Sequence, residues 1–168
     1  MIIIGIDPGY AIVGYGVINY DNSRLSTIDY GTVITPAKMD FGTRLELIYD
    51  GVSAIISRFK PAAMAVEELF FNTNTKTAID VAQARGVILL AAQKNCVPVF
   101  GYTPLQVKQA VVGYGRAEKA QVMEMTRLLL NLKTVPKPDD TADALAIAIC
   151  HAHSSGSQIG ALQRLTRR

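Results

Sequence analysis

The segment IIIGIDPG, residues 2–9, decides the fold. Its apolar run has the length of one buried strand, and Pro8-Gly9 supplies the turn that ends it. Two further segments of strand character follow, YGVINY at 15–20 and an alternating stretch at 24–35, with turn residues at 21–23 between them. The start of the chain therefore predicts three consecutive strands, joined by the short connections that antiparallel neighbours allow.

Downstream of these strands, apolar residues recur at every third or fourth position, which is typical of helices. Two short apolar segments interrupt that pattern and are predicted to be buried strands, MAVEE at 64–68 and VPVFGY at 97–102. Helices are predicted from Thr43 to Pro61, from Thr75 to Lys94, after the Thr103-Pro104 N-cap, within 117–131 and after Pro138. This order predicts an α/β fold, a mixed five-stranded sheet with helices on both faces.

The composition is typical of one soluble globular domain. The chain has 168 residues, of which 49% are hydrophobic and 18% charged, enough for a core without disulfides. Cys96 and Cys150 form no CxxC pair, which predicts a reduced intracellular protein. The apolar start breaks at Asp7, too early for a signal peptide, and the longest apolar run is too short to cross a bilayer. We expect a cytoplasmic protein that does not contact a membrane.

Basic side chains concentrate in the middle of the chain. Residues 85–137 carry eight basic and two acidic side chains, whereas residues 1–84 carry six and nine. Such a block predicts a surface that neutralises the phosphates of a nucleic acid. Its members include Lys108, Arg116, Lys119 and Arg127. A solvated face without a nucleic-acid partner is the alternative.

Two acidic residues end apolar strands. Asp7 follows IIIGI and Glu67 lies in MAVEEL, and a carboxylate at such a place is costly to bury unless a cation meets it. Ligand sites of open α/β sheets favour the carboxyl ends of strands. If the first and fourth strands are parallel neighbours, Asp7 and Glu67 lie side by side, whereas Glu68 faces the other side of the sheet.

A second pair of acids begins the last helix. In PDDTADALAIAIC, residues 138–150, Asp140 and Asp143 are three positions apart, which places both on one helix face. Asp139 lies four positions before Asp143, so the spacing leaves it open as a member of the pair or as an N-cap. Each acid also has a structural explanation, as a turn residue, a partner of a lysine or a residue that favours the helix dipole.

Acids from three separated segments, at strand ends and a helix start, indicate a shared metal site. Oxygen ligands select a hard cation, Mg²⁺ or Mn²⁺, and two such ions can activate a water and stabilise a leaving oxygen at phosphorus. The combination predicts phosphodiester hydrolysis. His151 and His153 point in different directions near the end of the last helix, and we expect them to favour the dipole rather than bind metal.

Several blocks of the sequence carry a resemblance to a known family. They are GIDPG with GYGV at 14–17, AVEELF at 65–70, QARGV at 83–87, QVKQAVVGYGRAEKAQV at 106–122 and DDTADALAIAICHAH at 139–153. In this order and spacing they make the chain similar to the RuvC family of bacterial Holliday-junction resolvases from about Ile3 to His153.

The resemblance implies a ribonuclease-H-like nuclease domain at 1–153. It also implies a Mg²⁺-dependent homodimer that resolves four-way DNA junctions in recombination and repair, by paired symmetric cuts in two strands of the same polarity. A branch-migration motor is the further partner that the family implies. Two ions are expected in each active site, and Mn²⁺ is expected to substitute for Mg²⁺.

Residue by residue, the resemblance also implies the site. The family's catalytic and metal-binding acids fall on Asp7, Glu67, Asp140 and Asp143. Its DNA-binding lysines fall on Lys108 and Lys119, and the aromatic that stacks on a base near the crossover falls on Phe70. Arg116 joins the DNA-binding prediction through its place in the basic block.

Two alternatives to junction resolution stay open. Another ribonuclease-H-like nuclease, acting on RNA or on an RNA/DNA hybrid, would use the same acids. A binding module would hold junctions without cutting them. The basic block and Phe70 favour junction DNA over the first alternative, and the four acids favour cleavage over the second.

Two further segments carry weaker expectations. The tail 154–168 contains SSGS and three arginines and is expected to be flexible and basic. QARG, residues 83–86, lines either the site or the dimer face. An apolar patch on the same helix is a candidate for the dimer face. It comprises Val81, Ile88, Leu89 and Leu90.

Overall fold

The computed structural model of the protein describes residues 1–69 and 75–155. In chain order its elements are β1 (Ile2–Asp7), β2 (Ile12–Asp21), β3 (Arg24–Ile34), α1 (Phe41–Phe59), β4 (Ala63–Glu67), α2 (Thr75–Lys94), β5 (Val99–Tyr102), α3 (Pro104–Val112), α4 (Lys119–Leu129) and α5 (Asp139–Ser155). The predicted order of elements is confirmed. β2 begins earlier than predicted because its first residues also pair with β3, and β5 begins later.

One mixed sheet forms the centre of the fold. Its strand order is β3-β2-β1-β4-β5. β1 pairs antiparallel with β2 and parallel with β4, and β5 adds parallel to β4. The strands joined by short turns therefore occupy one half of the sheet, and the strands reached through helices occupy the other.

The two faces of the sheet have separate hydrophobic cores, because side chains alternate along each strand. On one face, Ile4 and Ile6 of β1 pack with residues of α1 and α2. On the other face, Ile3 belongs to a core to which α3, α4 and α5 contribute. Asp7 continues the series of Ile3, so its side chain belongs to the face that α5 covers.

Helix α5 lies directly on the main chain of the sheet. From Thr141 to Ala152, every residue except Asp143 is buried. A Cβ atom on Gly5 would overlap the carbonyl oxygen of Ala144, and a Cβ atom on Gly14 would overlap that of Asp140. Only glycine at these two positions allows the helix to approach so closely. The first half of α5 is therefore held against β1 and β2.

The caps of α3 and α4 fix the main chain around the basic block. Thr103 caps α3 in a capping box with Gln106, with Pro104 at the start of the helix, as predicted. At α4 the main-chain N–H of Glu118 donates to Gln121 Oε1 at 2.9 Å. Because this cap orders the first turn of α4, the main chain of Lys119 is held in place.

The expectation that His151 favours the helix dipole is wrong. His151 is buried against the Phe100 ring, and the Tyr102 hydroxyl lies 2.7 Å from its Nδ1. Burial lowers the pKa of His151 to about 4. The ring is therefore neutral near pH 7 and contributes no charge to the helix end. His153 is exposed, with its Nδ1 3.0 Å from the Ala110 carbonyl oxygen.

The apolar patch predicted on α2 is only partly exposed. Ile88 is fully buried, and Leu89 packs partly buried against the same core. Leu90 is 51% exposed, and Ile79, which the prediction omitted, is 57% exposed. The prediction took neighbours in sequence as one surface, but each step along a helix turns the side chain by about 100°.

Some predictions fall at or beyond the limits of the described residues. α5 extends to Ser155, two residues past the expected domain boundary. Phe70 and residues 156–168 lie outside the described residues, so the division into a nuclease domain and a flexible tail stays a prediction. Where the chain is described, none of its helices has both the length and the apolar composition to span a bilayer.

Candidate active site

Asp7 and Glu67 lie at the carboxyl ends of neighbouring parallel strands. Ile6 of β1 is in register with Val66 of β4, so the two acids follow at adjacent positions. Alternation along both strands places them on the face of the sheet that α5 covers. The prediction that the first and fourth strands are parallel neighbours is confirmed, and this pairing brings the two acids together.

Helix α5 brings the second pair of acids to the same place. Asp140 and Asp143 lie near its start, and the main chain of Asp140 packs on Gly14. Gly14 is the cross-strand partner of Asp7. The contact between Asp140 and Gly14 therefore sets the beginning of α5 beside Asp7.

Burial and mutual repulsion determine the electrostatics of the acid cluster, by which we mean Asp7, Glu67, Asp140 and Asp143. Burial raises the pKa of Asp7 to about 7, and repulsion from the other three carboxylates adds to the effect. Burial also raises the pKa of Glu67 and of Asp143. Carboxylates that ionise with difficulty side by side are stabilised when a cation joins them. The arrangement therefore suits a cation site.

Asp139 has a different environment from the acid cluster. It forms ion pairs with Lys137 at 2.8 Å and with Lys119 at 3.6 Å. The hydrogen bond from Lys137 lowers the pKa of Asp139, whereas the pKa values of Asp7, Glu67 and Asp143 are raised. Asp143, not Asp139, contributes to the raised pKa values of Asp7 and Glu67. Asp140 repels Asp7, whereas Asp139 does not contribute to the raised pKa of Asp7. The structure thus favours Asp140 over Asp139, the choice that the spacing alone left open.

The predicted basic residues separate into two groups. Lys108 and Lys119 line one cleft of about 250 Å³ together with Glu67 and Asp143. Lys119 donates to Asp143, with Nζ 2.9 Å from Oδ2. Arg116 is exposed in the loop between α3 and α4, outside the lining of this cleft. The two lysines therefore face the acid cluster, and Arg116 lies on the neighbouring surface.

Arg85 of α2 supports the strand that carries Glu67. Its Nε donates to the main-chain carbonyl oxygen of Glu67 at 3.1 Å. The sequence left open whether QARG lines the site or the dimer face, and the structure divides the motif. Arg85 reaches the end of β4, whereas Gln83 and Gly86 are exposed.

A buried arginine, which the sequence reasoning missed, supports the turn after Asp7. Arg44 of α1 is 8% exposed and donates from Nε to Thr35 Oγ1 at 2.9 Å. The Thr35 hydroxyl donates to the carbonyl oxygen of Tyr10 at 2.7 Å, and the Arg44 guanidinium lies 3.7 Å from the centre of the Tyr10 ring. These contacts join α1, β3 and the β1–β2 turn. No local pattern signals them, since the partners lie far apart in sequence.

The acid cluster has the donor chemistry of a site for a hard cation. All four side chains offer carboxylate oxygens, the ligands that Mg²⁺ and Mn²⁺ prefer. Within residues 1–69 and 75–155, no three His, Cys, Asp or Glu side chains already stand together as a ligand set. Lys119 engages one oxygen of Asp143. The residue types fit the ion, and closing the ligand set requires side-chain movement.

The sequence matches one protein family over most of its length. The profile of the family described as "Crossover junction endodeoxyribonuclease RuvC" matches residues 3–151. The chain is 63% identical over 155 residues to the crossover junction endodeoxyribonuclease RuvC of Clostridioides difficile, and the match covers 92% of each chain.

Solved structures agree with the sequence match. The RuvC structure of Thermus thermophilus has a TM-score of 0.87 at 39% identity and covers 93% of this chain and 96% of that chain. T. thermophilus RuvC in complex with a Holliday junction substrate also has a TM-score of 0.87, at 36% identity, and covers 95% and 98%. The expected ribonuclease-H-like fold is thus confirmed. The chain belongs to the RuvC family of crossover junction endodeoxyribonucleases.

Proposed function

We propose that the protein is a metal-dependent endonuclease that resolves Holliday junctions in recombination and repair. It makes paired symmetric cuts in two strands of the same polarity. One observation carries the proposal for this chain: acids from β1, β4 and α5 meet beside a cleft lined by Lys108 and Lys119. Membership of the RuvC family gives the substrate class, and the basic cleft supplies the charge that a phosphate backbone requires.

The proposed catalytic residues are the four members of the acid cluster. Asp7, which the other three carboxylates repel, would hold the metal ions together with Glu67, Asp140 and Asp143. When bound, Mg²⁺ or Mn²⁺ activates a water and stabilises the leaving oxygen of the phosphodiester. The sheet and α5 hold the carboxylates in position, and Arg85 holds the main chain of Glu67.

The proposed DNA contacts extend from the cleft to the surface beside it. Lys108 and Lys119 bind phosphate next to the scissile bond, and Arg116 binds phosphate farther out. Phe70 stacks on a base near the crossover, where bases are partly unstacked. Phosphate contacts orient the junction on the protein without selecting its sequence.

A homodimer is the proposed working form, because a junction of near two-fold symmetry is matched by a protein of two-fold symmetry. The proposed dimer face is one side of α2. Ile79 and Leu90 are more than half exposed, and the exposed Gly86 lies between them at helical spacing. A Cβ atom on Gly86 would meet nothing within 4 Å, so the helix of a second copy has room for close approach. Apolar exposure on this stripe is reduced when two copies pair.

The remaining proposals rest on the family. A branch-migration motor is the proposed further partner, and no surface of this chain is assigned to it. The cytoplasm, where bacterial chromosomal DNA lies, is the proposed location.

Cleavage of defined substrates tests the proposed function. End-labelled four-way junction, linear duplex and RNA/DNA hybrid are incubated with the purified protein in Mg²⁺ or in chelator, beside Asp7→Asn. We expect paired symmetric nicks in the junction alone, in Mg²⁺ alone, and lost in the variant while junction binding persists. Cleavage of the hybrid instead would replace the substrate class, and tight junction binding without cleavage would leave a binding module.

A further inference from the structure

Lys119 is a basic side chain that interacts with most of the acids around the site. Its Nζ lies 2.9 Å from Asp143 Oδ2 and 3.6 Å from Asp139 Oδ2. Its charge also acts on Asp7 and Glu67, where it opposes the effect of burial. The ammonium therefore partly neutralises the acid cluster from the side of α4.

The same side chain faces the proposed path of the DNA. Lys119 lines the cleft together with Lys108, and its side chain is 56% exposed. A lysine ammonium is a compact charge on a flexible stem with three donors, so it can change partners without movement of the main chain. The capped start of α4 keeps that main chain fixed.

Asp143 and the DNA phosphate thus compete for one ammonium, and the ammonium and a divalent cation compete for Asp143. An oxygen of Asp143 that accepts from Lys119 has less electron density for a metal ion. A cation bound by Asp143 would in turn repel the ammonium at this short distance. The displaced ammonium would find its next anion in the cleft.

We propose that Lys119 exchanges partners during loading of the site: it pairs with Asp143 until a divalent cation binds there, and it then transfers to a DNA phosphate. Lys119 is in this sense a positioning residue that couples metal binding to DNA binding. The transfer of Lys119 to a DNA phosphate rests on the proposed function. The competition between Lys119 and a divalent cation for Asp143 does not depend on it. Coupling of this kind is reciprocal, so junction DNA strengthens metal binding by the same factor.

Lys108 offers a matched control for Lys119. It lines the same cleft and carries the same charge, but no ion pair joins it to an acid in the described part of the chain. Lys119→Met and Lys108→Met therefore remove equal charge from one cleft, and only the first frees Asp143. Thermal unfolding of both variants verifies that the fold is retained.

Metal binding without DNA tests the first step of the exchange, in which a divalent cation displaces Lys119 from Asp143. Mn²⁺ is titrated into each protein and the free ion is measured by electron paramagnetic resonance. We expect Lys119→Met to bind Mn²⁺ roughly three- to tenfold more tightly than the wild type, and Lys108→Met to change affinity by less than about twofold. Equal changes in the two variants, or weaker binding by Lys119→Met, would overturn the exchange.

Junction binding at a series of salt concentrations tests the second step, the transfer of Lys119 to a DNA phosphate. The series is measured once with Ca²⁺ as the cation and once with chelator. In Ca²⁺, Lys119→Met should lower the salt dependence relative to wild type by about one phosphate contact, and in chelator it should leave it unchanged. Lys108→Met should lower it in both conditions. A loss in both conditions for Lys119→Met would show a permanent phosphate contact and overturn the exchange. Failure of the wild type to bind junction at all would instead contradict the proposed function. The Mn²⁺ titration would still decide whether Lys119 and a divalent cation compete for Asp143.

Discussion

The two halves of the acid cluster are held in opposite ways. Asp7 and Glu67 come from paired strands, and in the described residues no ion pair joins either of them to a basic side chain. Asp143 comes from α5 and has Lys119 at 2.9 Å. The sheet pair, Asp7 and Glu67, thus keeps its repulsion, which burial amplifies. In the helix pair, Asp140 and Asp143, the carboxylate of Asp143 has a neutralising partner in direct contact.

This difference assigns different tasks to the two halves. A carboxylate with a pKa raised to about 7, as at Asp7, binds a cation strongly once it is ionised, because the cation removes repulsion as well as forming bonds. A carboxylate that already has an ammonium partner gains less. We therefore expect the sheet pair to dominate metal binding and the helix pair to adjust it.

The largest expected effect comes from the sheet pair. Asp7→Asn should lower junction cleavage by about a thousandfold or more, since a buried, proposed ligand of the metal site loses its charge. Single-turnover cleavage of labelled junction measures the effect. Junction affinity in chelator serves as the control and should stay near that of the wild type. Residual cleavage within tenfold of wild type would mean that Asp7 does not hold the metal.

The helix pair should show a smaller effect and a clear contrast with its neighbour. Asp143→Asn should lower cleavage by roughly a hundredfold, because it removes one proposed ligand of the cluster. Asp139→Asn should change cleavage by less than about threefold, since Asp139 lies outside the acid cluster and forms exposed ion pairs with Lys137 and Lys119. Both variants lose one charge beside Lys119, so equal losses of activity would contradict the assignment of Asp143.

Substitution of Arg85 tests whether its hydrogen bond to the main chain of Glu67 helps to position the sheet pair. Arg85→Ala removes the donor to the Glu67 carbonyl oxygen and should lower cleavage about tenfold, in the range of residues that orient ligands without touching the ion. Mn²⁺ affinity should fall in parallel, and Arg85→Lys should restore part of both. A variant with normal Mn²⁺ affinity and slow cleavage would show that Arg85 does not act through Glu67.

The repulsion at Asp7 should also be visible in stability. The pKa of this carboxyl rises from 3.8 to about 7 on folding. Between these two pH values Asp7 is ionised in the unfolded chain and neutral in the folded protein. The free energy of unfolding therefore falls as pH rises, by at most about 1.4 kcal/mol per pH unit. Below the lower value the group is neutral in both states and has no effect. Asp7→Asn should flatten this decline, which thermal unfolding in chelator across the same pH range measures. If the free energy of unfolding declined with pH equally in Asp7→Asn and the wild type, Asp7 would not be the group responsible.

The smallest effect is expected at Arg127. The sequence placed it among the residues that neutralise phosphates, but its guanidinium pairs with Glu124 at 2.6 Å and donates to the Leu132 carbonyl oxygen at 2.9 Å. Arg127→Ala should leave thermal unfolding close to that of the wild type, since the ion pair of Arg127 with Glu124 is exposed to solvent, and should leave the salt dependence of junction binding unchanged. If the salt dependence of junction binding fell by about one phosphate contact in Arg127→Ala, Arg127 would be a DNA-binding residue after all.

Local patterns predicted the elements, and the elements were enough to predict the sheet pair of acids. Parallel pairing of β1 and β4 follows from the order of strands and helices, so the sequence alone is enough to place Asp7 and Glu67 together. Contacts between distant segments could not be predicted in this way. The Lys119–Asp143 pair depends on how α4 meets α5, and the Arg85–Glu67 contact depends on how α2 crosses β4.

The errors have the same physical origin. His151 was expected at a solvated helix end, but α5 runs across the sheet and carries it into the core beside Phe100. Ile88 was expected in an exposed apolar patch with its neighbours in sequence, yet α2 covers one face of the sheet and buries Ile88 fully. Period and composition indicate which faces are apolar, and only the tertiary packing decides what each face meets.

The glycine contacts beneath α5 make the arrangement of the acid cluster as durable as the fold itself. Because Gly5 and Gly14 place main chain against main chain, no side chain can rearrange to let the helix shift. The main chain of Asp140 and Asp143 can therefore move away from Asp7 only if α5 leaves the sheet, which exposes the core on that face. Amide hydrogens of α5 should exchange with solvent only through global unfolding, and heat should abolish catalysis and the fold at the same temperature.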